Sequence, residues 1–244
     1  MLMIRPLGKA DLPGLMNLAS MAKAGLTTLP HDRDILAQRL EESEKSFSQA
    51  PSSPKGETYL FGLEDGSDQD LIGVCGIVSK IGGFQPHWTY ELKEELYHSK
   101  ALGSLKHVPY LSLKMNHDGP TEIGTLFLSP KCRGGDGGRL LSLSRFLFLS
   151  AFPNGFEDDV IAEMRGQVSD AGHSVFWEAV GRHFFQVDFA KADLMAMKDK
   201  RFIEELMPRH PIYISLLPKA AQMVIGEVHE NTLPARRLLE QEGF

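Results

Sequence analysis

TEIGTLFLSPKCRGGDGGRLLSLSRFLFLSAF, residues 121–152, decides the fold. Residues 121–128 form an apolar run of strand length, SPKCRGGDGG is a glycine-rich loop, and 139–152 is a helix apolar on most sides and therefore expected to be buried. A strand, a glycine loop and a helix N-terminus in succession present unencumbered backbone N–H groups and the positive end of a helix dipole to an anion. Arg133, Gly137 and Gly138 are the candidate anion contacts, with Gly134, Gly135 and Asp136 between them, and a pyrophosphate fits the concavity they would form. A flexible surface loop is the competing reading of the same residues.

Upstream, residues 2–7 (LMIRPL) read as a short strand. Ala10 to Ala24 carries Leu12, Leu15, Met16, Leu18 and Ala19 at helical spacing behind Asp11, a candidate cap. A second helix is expected from Asp32 to about Phe47, with Ile35, Leu36, Arg39 and Leu40 on one side, before the Pro/Ser/Gly loop QAPSSPKGE. TYLFGLED (58–65) and DLIGVCGIVSKIGG (70–83), joined by the acidic turn DGSDQD, predict an antiparallel hairpin. The pattern then weakens, so about 84–117 reads as an insertion with some strand.

Downstream, DDVIAEMRG (158–166) predicts another buried strand, and SVFWEAVGRHFF (174–185) a helix giving way to strand. A short helix follows at 200–207, and the chain closes as strand or helix, loop and helix. VIAEMRG (160–166) and VIGEVHE (224–230) echo each other, and each precedes a helix with a glycine and an aromatic near its end. This alternation predicts an α/β fold with a mixed central sheet flanked by helices.

Composition sets limits. With 42% hydrophobic and 24% charged residues, the 244-residue chain has material for a large core, and one compact unit over 1–244 is expected. Lys+Arg 26 against Asp+Glu 32 leaves a net charge of -6, so a long nucleic-acid-binding face is not expected. No stretch reaches the roughly 18 apolar residues of a membrane span, and the opening residues lack a signal sequence's apolar core, which predicts a cytoplasmic protein. Cys75 and Cys132 provide neither a disulfide framework nor metal-ligand spacing.

Three segments resemble the GNAT acyl-CoA N-acyltransferases: the opening IRPLGKADLPGLMNLA, the glycine loop, and the terminal NTLPARRLLEQEGF. The GNAT loop pattern runs Arg or Gln, two residues, Gly, one residue, Gly or Ala. Arg133 and Gly138 match its ends, while Asp136 occupies its first glycine position and brings a carboxylate toward the phosphate region. A closer resemblance, to the arginine/ornithine succinyltransferase family, rests on GLTTLP (25–30), TLFLSP (125–130), LLSLSRFLFLSAF (140–152), VIAEMRG (160–166), FWEAVGRHFFQVDFAKAD (176–193), ELMPRHPIY (205–213) and VIGEVHENTLPARRLLEQEGF (224–244). Because family members continue for roughly another hundred residues, on the scale of a small domain, and because a helix-ending glycine ordinarily leads into a strand, the natural protein is expected to extend beyond residue 244.

The resemblance implies transfer of a succinyl group from succinyl-CoA to the α-amine of L-arginine, or L-ornithine, with no permanently bound cofactor. It also implies a homo- or hetero-oligomer with a related chain. Its proton donor carries over to His229 in GEVHENT, and its acyl-CoA contact to Leu126. Main-chain groups of Leu126, Phe127 and Leu128 on a splayed strand would pair with pantetheine amides, so apolar side chains there are no objection. Many GNAT proteins carry a late-helix tyrosine where this chain has Leu239, which cannot donate. His229 as a helix cap or a core hydrogen-bonder remains the competing reading. A guanidinium substrate needs a carboxylate, for which Glu163 is a candidate unless it pairs with Arg165 or Arg145. The succinyl carboxylate needs a cation, and Arg145, Arg165, His173 and Arg182 remain open.

Overall fold

The computed structural model describes residues 1–22, 26, 28–66, 70–169, 171–198 and 200–244, so Gly25 and Thr27 of GLTTLP and positions 67–69 of the hairpin turn lie outside the described residues. In chain order the elements are β1 (Leu2–Pro6), α1 (Leu12–Met21), α2 (Arg33–Phe47), β2 (Thr58–Asp65), β3 (Asp70–Val78), β4 (His87–Ser99), β5 (Ser104–Asn116), β6 (Thr121–Leu128) and α3 (Gly137–Ala151). There follow β7 (Val160–Ile161), α4 (Val175–Ala179), α5 (Gly181–Phe185), α6 (Phe189–Lys198), α7 (Arg201–Leu206), β8 (Ile212–Tyr213), α8 (Lys219–Val224) and α9 (Leu233–Gln241). They fall into two compact units, one of Met1–Pro86, His117–Arg165 and Asn231–Phe244, the other of His87–Asn116 and Gly166–Glu230.

The first unit holds a mixed sheet in the order β1-β2-β3-β6-β7, antiparallel throughout except for the parallel pair β6–β7. Both faces of β2 are covered, which is why YLFGL reads as a continuous apolar run rather than an alternation. Leu60 joins Leu15, Leu18, Leu36 and Leu40 of α1 and α2 on one face, and Tyr59, Phe61 and Leu63 join Leu141 of α3 and Leu239 of α9 on the other. Leu36 and Leu40 are one helical turn apart and wholly buried, each contributing about 1.5–3 kcal/mol of transfer free energy. Ser43, in the next turn, is buried but satisfied: its hydroxyl donates to Leu7 O and accepts from Leu60 N, both at 3.0 Å.

The second unit is built on a hairpin of two 13-residue strands, β4 and β5, with β8 adding two residues to the β5 edge. Trp177 of α4 stacks on Phe185 of α5 at 5.1 Å and donates its indole N–H to Val187 O at 2.9 Å. No helix of the described residues is long and apolar enough to cross a membrane.

Four expectations are corrected. The strand anticipated over 158–166 is only Val160–Ile161; Ala162 and Met164 beyond it pack with Val160 on the α3 side of the core without forming a ladder. Residues 174–185 are two short helices broken at Val180 rather than helix followed by strand. The second copy of the apparent repeat begins at the last residue of α8 and runs into loop, so the two segments are not structural equivalents; Gly166 and Val228 form a single antiparallel bridge. Asp11 does not cap α1 with its side chain: its carboxylate accepts from Gly8 N at 2.9 Å and from Arg5, anchoring the turn between β1 and α1.

Candidate functional site

β6 holds the irregularity that makes a site. Its register against β3 runs Ile77↔Ile123 and Gly76↔Gly124 but resumes as Val74↔Phe127, so Thr125 and Leu126 together oppose Cys75. This is a β-bulge, and Thr125 sits in it at φ 51°, a left-handed conformation uncommon for a β-branched residue. Conformations of this kind cost about 1–3 kcal/mol and persist where surrounding structure enforces them. On the other edge, β7 pairs with β6 only at Thr121 and Glu122. From Ile123 to Leu128 that edge has no strand partner among the described residues, because the chain after Ile161 leaves the ladder. Among the described residues no ladder takes up main-chain groups on that edge, the arrangement by which a strand end pairs with an extended, amide-bearing ligand.

The side chains of the three strand-end candidates face protein. Phe127 is buried with the α1–α2 core, and Leu126 and Leu128 pack partly against the α3 core, so only their main chains are left for binding. Immediately after the strand, Pro130–Cys132 makes one 3-10 turn and residues 133–136 form an exposed loop. Gly134 takes φ 92°, which a side chain would resist, and no protein atom lies within 4 Å of where its Cβ or that of Gly135 would be. α3 then starts at Gly137, which is buried close enough to the sheet that a Cβ would stand 3.2 Å from Leu63 Cδ2. The first-turn N–H groups of this helix lack intrahelical acceptors and point back toward the loop.

Arg133 is exposed; its Nε donates to Leu128 O at 3.3 Å and its guanidinium lies 5.9 Å from the Phe127 ring centre. Asp136 occupies the N-cap position in αR geometry without a side-chain capping bond. Strand, exposed loop and helix thus follow one another in the expected order, with the Asp136 carboxylate at the helix start.

The remaining candidates separate. Glu163 is exposed and lies past the end of β7 rather than on a central strand; Arg165, two residues on, is half-buried. Arg145 is wholly buried within the core, its guanidinium folded back onto Ser142 O and Oγ at 3.2 and 3.0 Å; burial lowers its pKa, and the nearby Cys75 thiol is pushed up to about 11. In the second unit, Arg182 is ion-paired with Asp188 and with Glu178 at 3.4 Å, and His173 is exposed. His229, also in that unit, is 6% exposed, and its Nε2–H donates to Val168 O at 3.1 Å. The carbonyl can only accept, so Nε2 carries the proton of that bond. Leu239 is buried in the α3–α9 core.

One residue outside the candidate set stands beside the bulge. Arg39 of α2 reaches a cavity of about 20 Å³ whose wall includes Thr28, Gly76, Glu122, Gly124 and Thr125. The signal was present in the sequence as an arginine on the apolar side of an amphipathic helix, beside Ile35, Leu36 and Leu40.

A family described as "Arginine N-succinyltransferase beta subunit" matches residues 2–244. The chain is 44% identical over its whole length to a protein of Escherichia coli named arginine N-succinyltransferase, of which it covers 71%. The chain belongs to the arginine N-succinyltransferase family. A protein of the same name from Salmonella schwarzengrund has the same identity and coverage. Among solved structures, arginine/ornithine succinyltransferase subunit AI from Pseudomonas aeruginosa superposes with a TM-score of 0.90 at 32% identity, over 100% of this chain and 71% of that one. Family membership makes the chain an acyltransferase, and the chemistry of such transfer calls for a CoA-based co-substrate.

Proposed function

We propose that the chain transfers the succinyl group of succinyl-CoA to the α-amine of L-arginine, giving N2-succinyl-L-arginine and CoA. The observation that carries this reading is the open edge of β6 beyond its bulge, continuous with the glycine loop and the start of α3. Pantetheine amides pair with main-chain groups of Leu126, Phe127 and Leu128, and the CoA pyrophosphate lies over Arg133 and the N–H groups leading into Gly137 and Gly138. No permanently bound cofactor takes part.

The neutral α-amine attacks the thioester carbonyl carbon. A C–N bond forms, the C–S bond breaks, and the electron pair leaves on sulfur. The nitrogen gives up one proton, and the thiolate gains one from a general acid, a role matched to a group titrating near neutrality. His229 is our choice for that donor. Glu163, exposed and anionic, is our choice for holding the substrate guanidinium, with Arg165 placing it.

Ornithine is a second acceptor, favoured by the name of the Pseudomonas aeruginosa relative. We place the reaction in the cytoplasm, in an assembly of this chain with itself or a related chain. A thiol-release assay crossing succinyl-CoA and acetyl-CoA with arginine, ornithine and lysine tests the reaction. Turnover with succinyl-CoA and arginine is expected; tight acyl-CoA binding without turnover for any pair would instead make this a binding module.

A further inference from the structure

Arg39 is surrounded by protein yet keeps part of its surface on the cavity beside the bulge. Its Nη1 donates to Thr28 O, and its Nη2 donates weakly to Thr125 Oγ1 at 3.4 Å. Both acceptors are neutral. No carboxylate among the described residues pairs with it, and three of its five N–H donors have no protein acceptor there. Burial pulls its pKa below the ordinary arginine value, and Glu122 and Glu42 offset this only through longer-range attraction. A guanidinium kept charged in such a place, without an ion-pair partner, is a standing demand for an anion.

The cavity is matched to that demand. Its volume of about 20 Å³ accommodates one small polar group, and its wall is formed by Gly76, Gly124 and Thr125 at the irregular part of β6. A Cβ on Gly76 would stand 3.2 Å from Thr125 Oγ1, so the absent side chain helps keep the space open. If the thioester lies at the bulge, the far carboxylate of a succinyl group begins about one Cα–Cα spacing away, roughly 3.8 Å. Glu122 shares the wall without taking up the guanidinium's donors.

We infer that Arg39 holds the free carboxylate of the transferred acyl group and thereby selects a dicarboxylic acyl-CoA over a monocarboxylic one of equal length. This rests on the acyl transfer proposed above. A charge-assisted pair of this kind discriminates by roughly 10- to 100-fold.

The test compares succinyl-CoA with butyryl-CoA, which has the same four-carbon chain without the carboxylate, in the full chain and its Arg39→Gln and Arg39→Lys variants. Arg39→Gln is expected to lower kcat/KM for succinyl-CoA by about 10- to 100-fold and to leave butyryl-CoA within about twofold, with Arg39→Lys intermediate. An unchanged succinyl-to-butyryl ratio in Arg39→Gln overturns the assignment. So does a kept ratio with a raised KM for arginine, which would move Arg39 to the acceptor's carboxylate. Should the wild-type chain turn over neither thioester, the proposed reaction fails, and calorimetric binding of the same two thioesters decides on Arg39 alone. Tighter succinyl-CoA binding that Arg39→Gln abolishes supports it, and equal binding by the wild type overturns it. That wild-type comparison also serves if Arg39→Gln does not fold.

Discussion

Ile123 and Phe127, four positions apart on one strand, pack into cores on opposite faces of the sheet. In a regular strand, residues separated by an even number share a face. The extra residue at Thr125–Leu126 reverses the alternation, turns the strand end, and leaves Thr125 in a left-handed conformation beside Arg39. On this account, one added residue makes the binding edge.

Strain at Thr125 is separable from burial by comparison with Thr121. Both are buried on β6, but the Thr121 hydroxyl donates to Ser79 O at 2.7 Å and accepts from Glu157 N at 2.8 Å. Thr121→Gly should lose both bonds and cost about 3 kcal/mol, whereas Thr125→Gly relieves its backbone and should cost at least about 2 kcal/mol less. Urea unfolding of the two variants checks this; equal losses would mean the bulge stores no strain.

Asp136 sets an exposed carboxylate at the start of α3, beside the loop proposed to hold the CoA diphosphate. Asp136→Asn is expected to tighten CoA binding by up to about fivefold at low ionic strength, with the gain shrinking as salt rises. Weaker binding by the variant would place the carboxylate away from the diphosphate. The same change removes a favourable helix-dipole contact and should lower stability by about 0.3–1 kcal/mol.

His229→Ala is expected to lower turnover by roughly 10²- to 10⁴-fold with little change in acyl-CoA affinity. Steady-state rates and calorimetry together test this. A full rate would remove His229 from the chemistry and leave it the structural bond to Val168 O.

Acid should loosen the first unit at a definite place. Arg5 bridges Asp11 and Glu64, each at 2.6 Å. Burial alone would raise the Asp11 pKa, but its bonds to Arg5 and Gly8 N outweigh that and hold it below 3.8. A depressed folded-state pKa means this stabilisation is present above 3.8 and is lost as pH falls through the lower folded value. Asp11→Asn should therefore be less stable than wild type at neutrality and close the gap in acid. A constant gap in thermal midpoint across that range would contradict the linkage.

Much of this was legible in the sequence because both faces of the main sheet are covered. β2 and β6 begin and end where their apolar runs do, and α3 starts two residues before its expected position. Segment 158–166 was expected to be a buried strand, but only Val160–Ile161 joins the sheet, because whether a segment enters a ladder depends on a neighbour its own residues do not specify. Residues 84–117 hid a long hairpin because β4 and β5 carry charge on both faces and stay largely exposed, so no period-two signal survives. At the break, Val180 leaves helical geometry with φ −128° and ψ −71°, and Gly181 after it packs so close to the Trp177 ring that a Cβ would stand 2.3 Å away. The bulge left no trace in composition, since it is a count of residues against a partner strand. Arg39 did leave one, because a charge on an apolar helix face requires a partner.

The most direct measurement is a crystal structure of the chain with CoA. Pantetheine amides are expected at about 2.7–3.2 Å from main-chain groups of Leu126–Leu128, with the diphosphate over the N–H groups of residues 134–138. CoA bound elsewhere, with that edge of β6 covered by protein, would contradict it.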